Sequence, residues 1–479
     1  TAYDPEAPEK VWTSEFVRRF GPQAGPLVYQ AVVESSRIVP FIYAYHNVGL
    51  DHQDFAPEFE TGDHAHDSRE RLWQGSRLVP YGGNNDDFLR VTPLDRTAMA
   101  DPAHYVEQYL NQVVTGQMNP FEAANYLGAA ADSSEKAIEA AGKLHPGSPK
   151  EFDCIARDVQ ALDWLARYYR DRIRSVTHLE FYRRTFQHSE LTAAYDDLHS
   201  ALADWDNLSD ATEQHYGYVP ELIRMGVNQF RWSDEGRTLG ADMDQMNRLE
   251  TEFQSLRDDG GDMIGHVPPF KVRPSMPLPL TVTYVGADRN SHVFVFYKNA
   301  QEIGYKKLAM RSESLGERTW SVVIPAQEMV AGHFEYYFEG RLGLSGYGGT
   351  LENHPPYRVF VTDNDSPPVI THHPPEGAVR GAVVTLTAGI KSQGKLSSVR
   401  VYYKPMPAYD DWVSMEMSSS GQGQFSATVP LTPEGILYYF EAVDDDGNAA
   451  NYPNFLVRTP YFSIEGWDAH SGSAVGGSN

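Results

Sequence analysis

Between Ile155 and Val176 the apolar residues fall at Ile155, Val159, Leu162, Leu165, Tyr169, Ile173 and Val176, steps of three and four that place them on one side of a helix. Leu191, Tyr195, Leu198, Leu202, Trp205 and Leu208 repeat that spacing, and Ala123, Leu127, Ala130 and Ile138 sit in a third such stretch. The helical period runs from residue 9 to about 258 and predicts four or more packed helices. Start signals agree. Asn119-Pro120-Phe121-Glu122 and Ser148-Pro149-Lys150-Glu151 each join a capping residue, a proline at the first helical position and an acid at the third. Thr92-Pro93-Leu94-Asp95 and Asp101-Pro102 are weaker versions of the same signal. Residues 46–91 break the period. They are rich in His, Asp, Gly and Asn, and too long for an ordinary helix connection.

The pattern changes at His266-Val267-Pro268-Pro269-Phe270. Beyond it come short β-branched and aromatic runs, such as Leu280 to Tyr284 and Val293 to Tyr297, separated by turn residues. This half also repeats itself. Val293 to Lys298 answers Val399 to Lys404, Trp320 to Pro325 answers Phe425 to Pro430, and Tyr336 to Glu339 answers Tyr438 to Glu441, at offsets of 106, 105 and 102. The fold class expected is multidomain, α then all-β. A helical bundle over 1–262, carrying the irregular connection 46–91, is followed by two tandem immunoglobulin/fibronectin-III-like β-sandwiches over 270–364 and 366–465. The polar linker Asp363-Asn364-Asp365-Ser366-Pro367-Pro368 joins the sandwiches, and the Gly/Ser-rich 471–479 reads as a disordered tail.

Composition narrows the function classes. In 479 residues, 65 acids against 40 bases give a formal charge of −25, which argues against a phosphate-backbone partner. No run approaches the roughly 20 apolar residues of a membrane span. The single cysteine, Cys154, rules out a disulfide framework or a cysteine zinc site and is expected to be a small buried hydrophobe. Thr stands first and no charged leader precedes the helices, so the chain is expected to be a mature secreted or periplasmic protein or a fragment of a longer one.

Reactive side chains are densest in the irregular connection: His46, Asp51, His52, Asp54, Glu58, Glu60, Asp63, His64, His66 and Asp67. Imidazole and carboxylate could hold a divalent metal or supply an acid and a base. His64 and His66 would point to one side of an extended segment, but the spacing matches no standard ligand set, so the metal expectation is none and no cofactor is expected. The catalytic candidates are His46, His52 and Asp54. Asp86-Asp87 and Asp51/Asp54 are the crowded carboxylates a glycosidase pair would need. Tyr43, Tyr45, His46 and Arg90 could form a proton-abstracting set, although Tyr43 and Tyr45 also fit a helix end packed into the core. In the β half, Trp412, Tyr347 and Tyr357 are candidate carbohydrate contacts, while Trp320, aligned with Phe425, reads as core.

Tyr3-Asp4-Pro5-Glu6, Val11-Trp12, Phe16 to Gly21 and Val32 to Pro40, with Thr92 to Asp95 and Asn119 to Glu122, resemble the helical domain that follows the catalytic barrel in large bacterial polysaccharide-degrading glycoside hydrolases, including those similar to α-glucuronidases. Tyr438 to Asn448 resembles the closing strands of immunoglobulin- or fibronectin-like modules appended to such enzymes. The resemblance implies an accessory portion of a secreted polysaccharide hydrolase. In that family the catalytic carboxylates lie on a barrel before the helical domain, and no alternating strand–helix pattern precedes Tyr3, so none is carried over. The partner implied is a polysaccharide or the catalytic domain of the same enzyme. Two other readings stay open: a self-contained polysaccharide lyase or hydrolase with its site in the helical domain, and a non-catalytic carbohydrate-binding or adhesion protein.

Overall fold

The computed structural model describes residues 9–46, 71–74, 77–80, 85–217, 231–256, 263–285, 292–312, 318–340, 343–344, 356–375, 378–379, 383–408, 410–454 and 461–467. Helices fill the N-terminal half and sheets, mostly antiparallel, the C-terminal half. The chain divides into two compact units. The first holds Thr1–Glu107, Met118–Val267 and Thr283–Gly286, and the second holds Gln108–Gln117, Pro268–Val282 and Ala287–Asn479.

The described helices are α1 (Glu9–Phe20), α2 (Ala24–Ser35), α3 (Ile38–Tyr45), α4 (Asn85–Arg90), α5 (Pro102–Leu110), α6 (Pro120–Gly142), α7 (Pro149–Thr185), α8 (His188–Tyr216) and α9 (Trp232–Ser255). The α6 start is the expected capping box: Asn119 Oδ1 accepts from the Glu122 N–H at 3.0 Å, and Glu122 Oε2 accepts from the Asn119 N–H at 2.9 Å. The buried face of α6 is rich in alanine (Ala123, Ala124, Ala130, Ala131, Ala137 and Ala141), and small side chains let α2 and α7 come close. On α8, Leu191, Leu198, Trp205 and Leu208 are buried at the expected spacing.

Three expectations are corrected. Ser148 precedes α7, but it sits in the left-handed region (φ 49°) and makes no side-chain cap, so Pro149 and the first-turn Glu151 mark that start without it. Thr92-Pro93 opens no helix. Asp95 Oδ1 instead accepts from the Thr97 N–H at 2.9 Å, closing a local turn, and the next helix waits for Asp101, whose Oδ1 accepts from the His104 N–H at 2.8 Å. Cys154 is exposed: Ile155 and Val159 turn toward the neighbouring helices, and Cys154 falls on the other side of α7.

In the second unit, strand Val383–Lys391 alternates exposed and buried residues along almost its whole length, the mark of a sheet with one face in a core. Its sheet runs in the order Val369–Thr371, Val383–Lys391, Gln424–Pro430, Ser418–Gly421. A second sheet runs Val413–Glu416, Leu396–Pro405, Ile436–Asp444, Ala449–Tyr452. Leu386 and Val429 from one sheet and Val401, Tyr438 and Phe440 from the other enclose one core. The sequence repeat appears as repeated pairing. Phe294–Lys298 lies antiparallel to Gly332–Gly340 with Tyr297 opposite Tyr336, and Leu396–Pro405 lies antiparallel to Ile436–Asp444 with Tyr403 opposite Tyr438. Trp320 is buried, as expected.

Candidate functional site

The helical unit concentrates its unusual chemistry along α7. This helix packs against α3, α4, α6 and α8, so charged residues a two-sided helix would expose are enclosed. Arg172 is fully buried. Its guanidinium donates to Asp242 Oδ2 on α9 and to Asn85 Oδ1 on α4, and both partners are buried as completely. The Asn85 N–H donates to Asp242 Oδ1 at 2.9 Å, and Asn85 Nδ2 donates to Gln245 Oε1 at 2.9 Å. The guanidinium also lies 5.1 Å from the centre of the Phe88 ring.

His46 belongs to the same cluster. It closes α3, its N–H donating to the Ile42 carbonyl at 2.7 Å, and its buried ring stacks on Phe88 with centroids 4.0 Å apart and Tyr169 at 5.9 Å. The two ends of the connection 47–84 therefore meet. His46 precedes it and stacks on Phe88, Asn85 follows it and accepts from Arg172, and Arg172 lies over Phe88. Beside them, Asp86 accepts from Arg183 and, at 3.1 Å, from Gln245 Nε2.

Of the sequence candidates, His46 stands in this anchor, while His52, Asp54, His64, His66 and Tyr347 lie outside the described residues. So do Asp51 and the side chain of Asp87. Tyr45 is buried with its hydroxyl donating to the Ala100 carbonyl at 3.3 Å, and burial pushes its phenol well above the ordinary range, which suits a core tyrosine and not a base. Tyr43 and Arg90 are half-buried. Among the described residues no group of three His, Cys, Asp or Glu is placed to hold a metal ion.

Sequence reasoning missed the buried acids of α7 and α8. Burial pushes the Asp163 carboxyl up to about 7, with Glu135 and Asp132 adding to the rise against a Ser134 hydrogen bond and the Arg167 charge. Burial also raises Asp204 to about 7, joined by the nearby Asp171 charge and opposed by Arg170. Arg170 forks onto Asp171 at 2.6 and 2.7 Å and reaches Asp204 at 3.8 Å. The signal was present: Asp163, Arg167 and Asp171 recur every fourth residue in a helix long enough to be flanked on several sides.

In the second unit the repeat carries a matched aromatic group. Phe296 and Tyr337 stack at 5.0 Å and 2°, and their counterparts Tyr402 and Tyr439 stack at 4.7 Å and 4°. Tyr305 meets Tyr337 edge-on at 5.1 Å, and Trp412 meets Tyr439 edge-on at 5.0 Å. Lys298 stands over Tyr305 and Lys404 over Trp412, at 5.1 and 4.8 Å. Trp412 is half-exposed. Tyr357, expected at the surface, is instead buried against Tyr336 and Phe338, because its strand pairs with Gly332–Gly340 and turns that ring into the core.

No family model matches the chain, and no curated protein is similar to it in sequence. Solved structures with local likeness include a GH138 enzyme targeting pectin rhamnogalacturonan II, at TM-score 0.39 and 14% identity over 51% of this chain. This chain spans only 35% of that enzyme. A chimeric titin Z1Z2 aligns at TM-score 0.17 and 12% identity, covering 43% of this chain and 98% of its own. The FN1–FN3 domains of chicken CNTN1 align at 0.21 and 11%, covering 42% and 69%.

Proposed function

We propose that the chain is an accessory portion of a secreted or periplasmic polysaccharide-degrading glycoside hydrolase: a helical domain followed by two tandem immunoglobulin/fibronectin-III-like sandwiches. Its role is to brace a catalytic domain and hold the polar connection 46–91 toward that domain's active site. The observation that supports this reading is the anchor at the connection's base. A fully buried Arg172–Asp242 pair is a poor source of net stability, because desolvation offsets most of its attraction, and its use is to specify one arrangement. Here the specified arrangement is the meeting of His46 and Asn85. His46 acts as a positioning residue, and Trp412 is the candidate for contact with a sugar ring on the sandwich surface.

The test is release of reducing ends and of unsaturated products by the purified chain on neutral and acidic polysaccharides, with and without divalent metal. The expected result is no release. Release abolished by His46→Ala would replace this reading with a self-contained lyase or hydrolase. Retention on an insoluble polysaccharide, lost on Trp412→Ala, is the expected behaviour of the sandwich face.

A further inference from the structure

Between α6 and α7 the first unit opens a cleft of about 280 Å³. Its floor is apolar, made by Ile138, Phe152 and Ala156. Gly142 lines it beside the Phe152 ring, where a Cβ would stand 3.6 Å away, in ordinary contact. Trp164 forms a wall, with the Arg167 guanidinium 4.9 Å from its ring centre. Glu135, Glu139, Gln160 and Asp163 bring polar groups to the same space.

The charges decide what such a cleft accepts. The Arg167 guanidinium donates to Glu135 at 2.7 Å and to Asp132 at 3.1 Å, so an anion would compete with two carboxylates already in place. A cation would face that guanidinium. Asp163 adds an acid that is largely neutral on the acidic side of 7. Ser134 Oγ, 3.0 Å from the Ala130 and Ala131 carbonyls, also hydrogen-bonds Asp163, a contact that favours the charged carboxylate and opposes the effect of burial. Donors, acceptors and an aromatic wall over an apolar floor, with the Arg167 guanidinium already paired to Glu135 and Asp132, match an uncharged ring that has hydroxyls at its edge and C–H groups on its face. The volume lies just under the roughly 300–1,000 Å³ of drug-sized pockets, room for one ring and not an extended chain.

We propose that the α6–α7 cleft binds one neutral sugar ring, a site separate from the sandwich face. The inference rests on the carbohydrate reading above, and its test fails separately from that one. The full chain is titrated with glucose, galactose, xylose and arabinose, followed by tryptophan fluorescence and by saturation transfer to the sugar's ring protons. Saturable binding of at least one sugar is expected. Ala156→Leu, which fills the floor, should weaken it at least about tenfold, and the exposed Gln160→Ala should weaken it about threefold with the fold untouched. Trp412→Ala should leave it unchanged. In wild type the affinity should change as pH crosses 7, and Asp163→Asn should flatten that dependence. Absence of binding up to tens of millimolar overturns the site, as does binding that survives both Ala156→Leu and Gln160→Ala or disappears with Trp412→Ala. Product release by the chain bears on the accessory reading and leaves these affinities as they are.

Discussion

The interior around α7 and the core between the sheets of Val383–Lys391 and Ile436–Asp444 are both closed to water, yet they are built from different material. The sheet core is Leu386, Val401, Val429, Phe440 and their neighbours. The prominent polar guest there, His372, takes its two ring nitrogens to the Thr387 carbonyl at 2.6 Å and the Tyr438 hydroxyl at 2.8 Å, and burial lowers its pKa so that the neutral ring is favoured. Around α7 the buried set includes Arg172, Asp242, Asp163, Asp171 and Asp204. Apolar packing is non-directional and tolerates exchange of shape, whereas a buried ion must find its partner or lose several kcal/mol. The sandwich core is thus a source of stability, and the α7 interior fixes which helices meet and where.

The largest expected effect tests that difference directly. Arg172→Met leaves Asp242 buried without its counter-charge and should destabilise the helical unit by about 3–5 kcal/mol in denaturant unfolding. Arg172→Met combined with Asp242→Leu should recover part of the loss, the remainder being the bonds that buried Asn85 makes to both residues. If the double variant is less stable than the single one, the pair contributes stability and not only specificity, and the α7 interior does not differ from the sheet core in that respect. Leu386→Ala, fully buried in the sheet core, should cost about 3 kcal/mol through a cavity, with no rescue by charge changes and no effect on the helical transition.

A pH experiment sharpens the comparison next. Asp163 ordinarily titrates near 3.8 and in the fold near 7, so the folded state holds this proton more tightly. Its contribution is therefore most favourable below about pH 4 and is lost as pH rises toward 7, on the order of 4 kcal/mol. Asp163→Asn should flatten the decline in melting temperature of the helical unit between pH 5 and about 8. A profile unchanged by the substitution would show that Asp163 does not carry the effect. Smallest of all, Asn119→Ala should cost about 1 kcal/mol by removing the α6 cap, an effect detectable as faster amide exchange in the first turn of that helix.

What the chain's own order determined is everything set by near neighbours. Steps of three and four mark α7 and α8, Asn119 and Glu122 mark the start of α6, and offsets of 102 to 106 mark a repeat that returns as matched strand pairs and matched aromatic stacks. These signals act over a few residues or recur at a fixed interval, so they can be read without knowing what lies opposite. The anchor could not. Arg172 meets partners 87 residues before it and 70 after it, and nothing local separates it from the half-buried Arg170 and Arg174 beside it until α4 and α9 dock. Tyr357 faces the core and Cys154 faces water for the same reason. Periodicity says that a residue has a side, and only the packed neighbours say which side is dry.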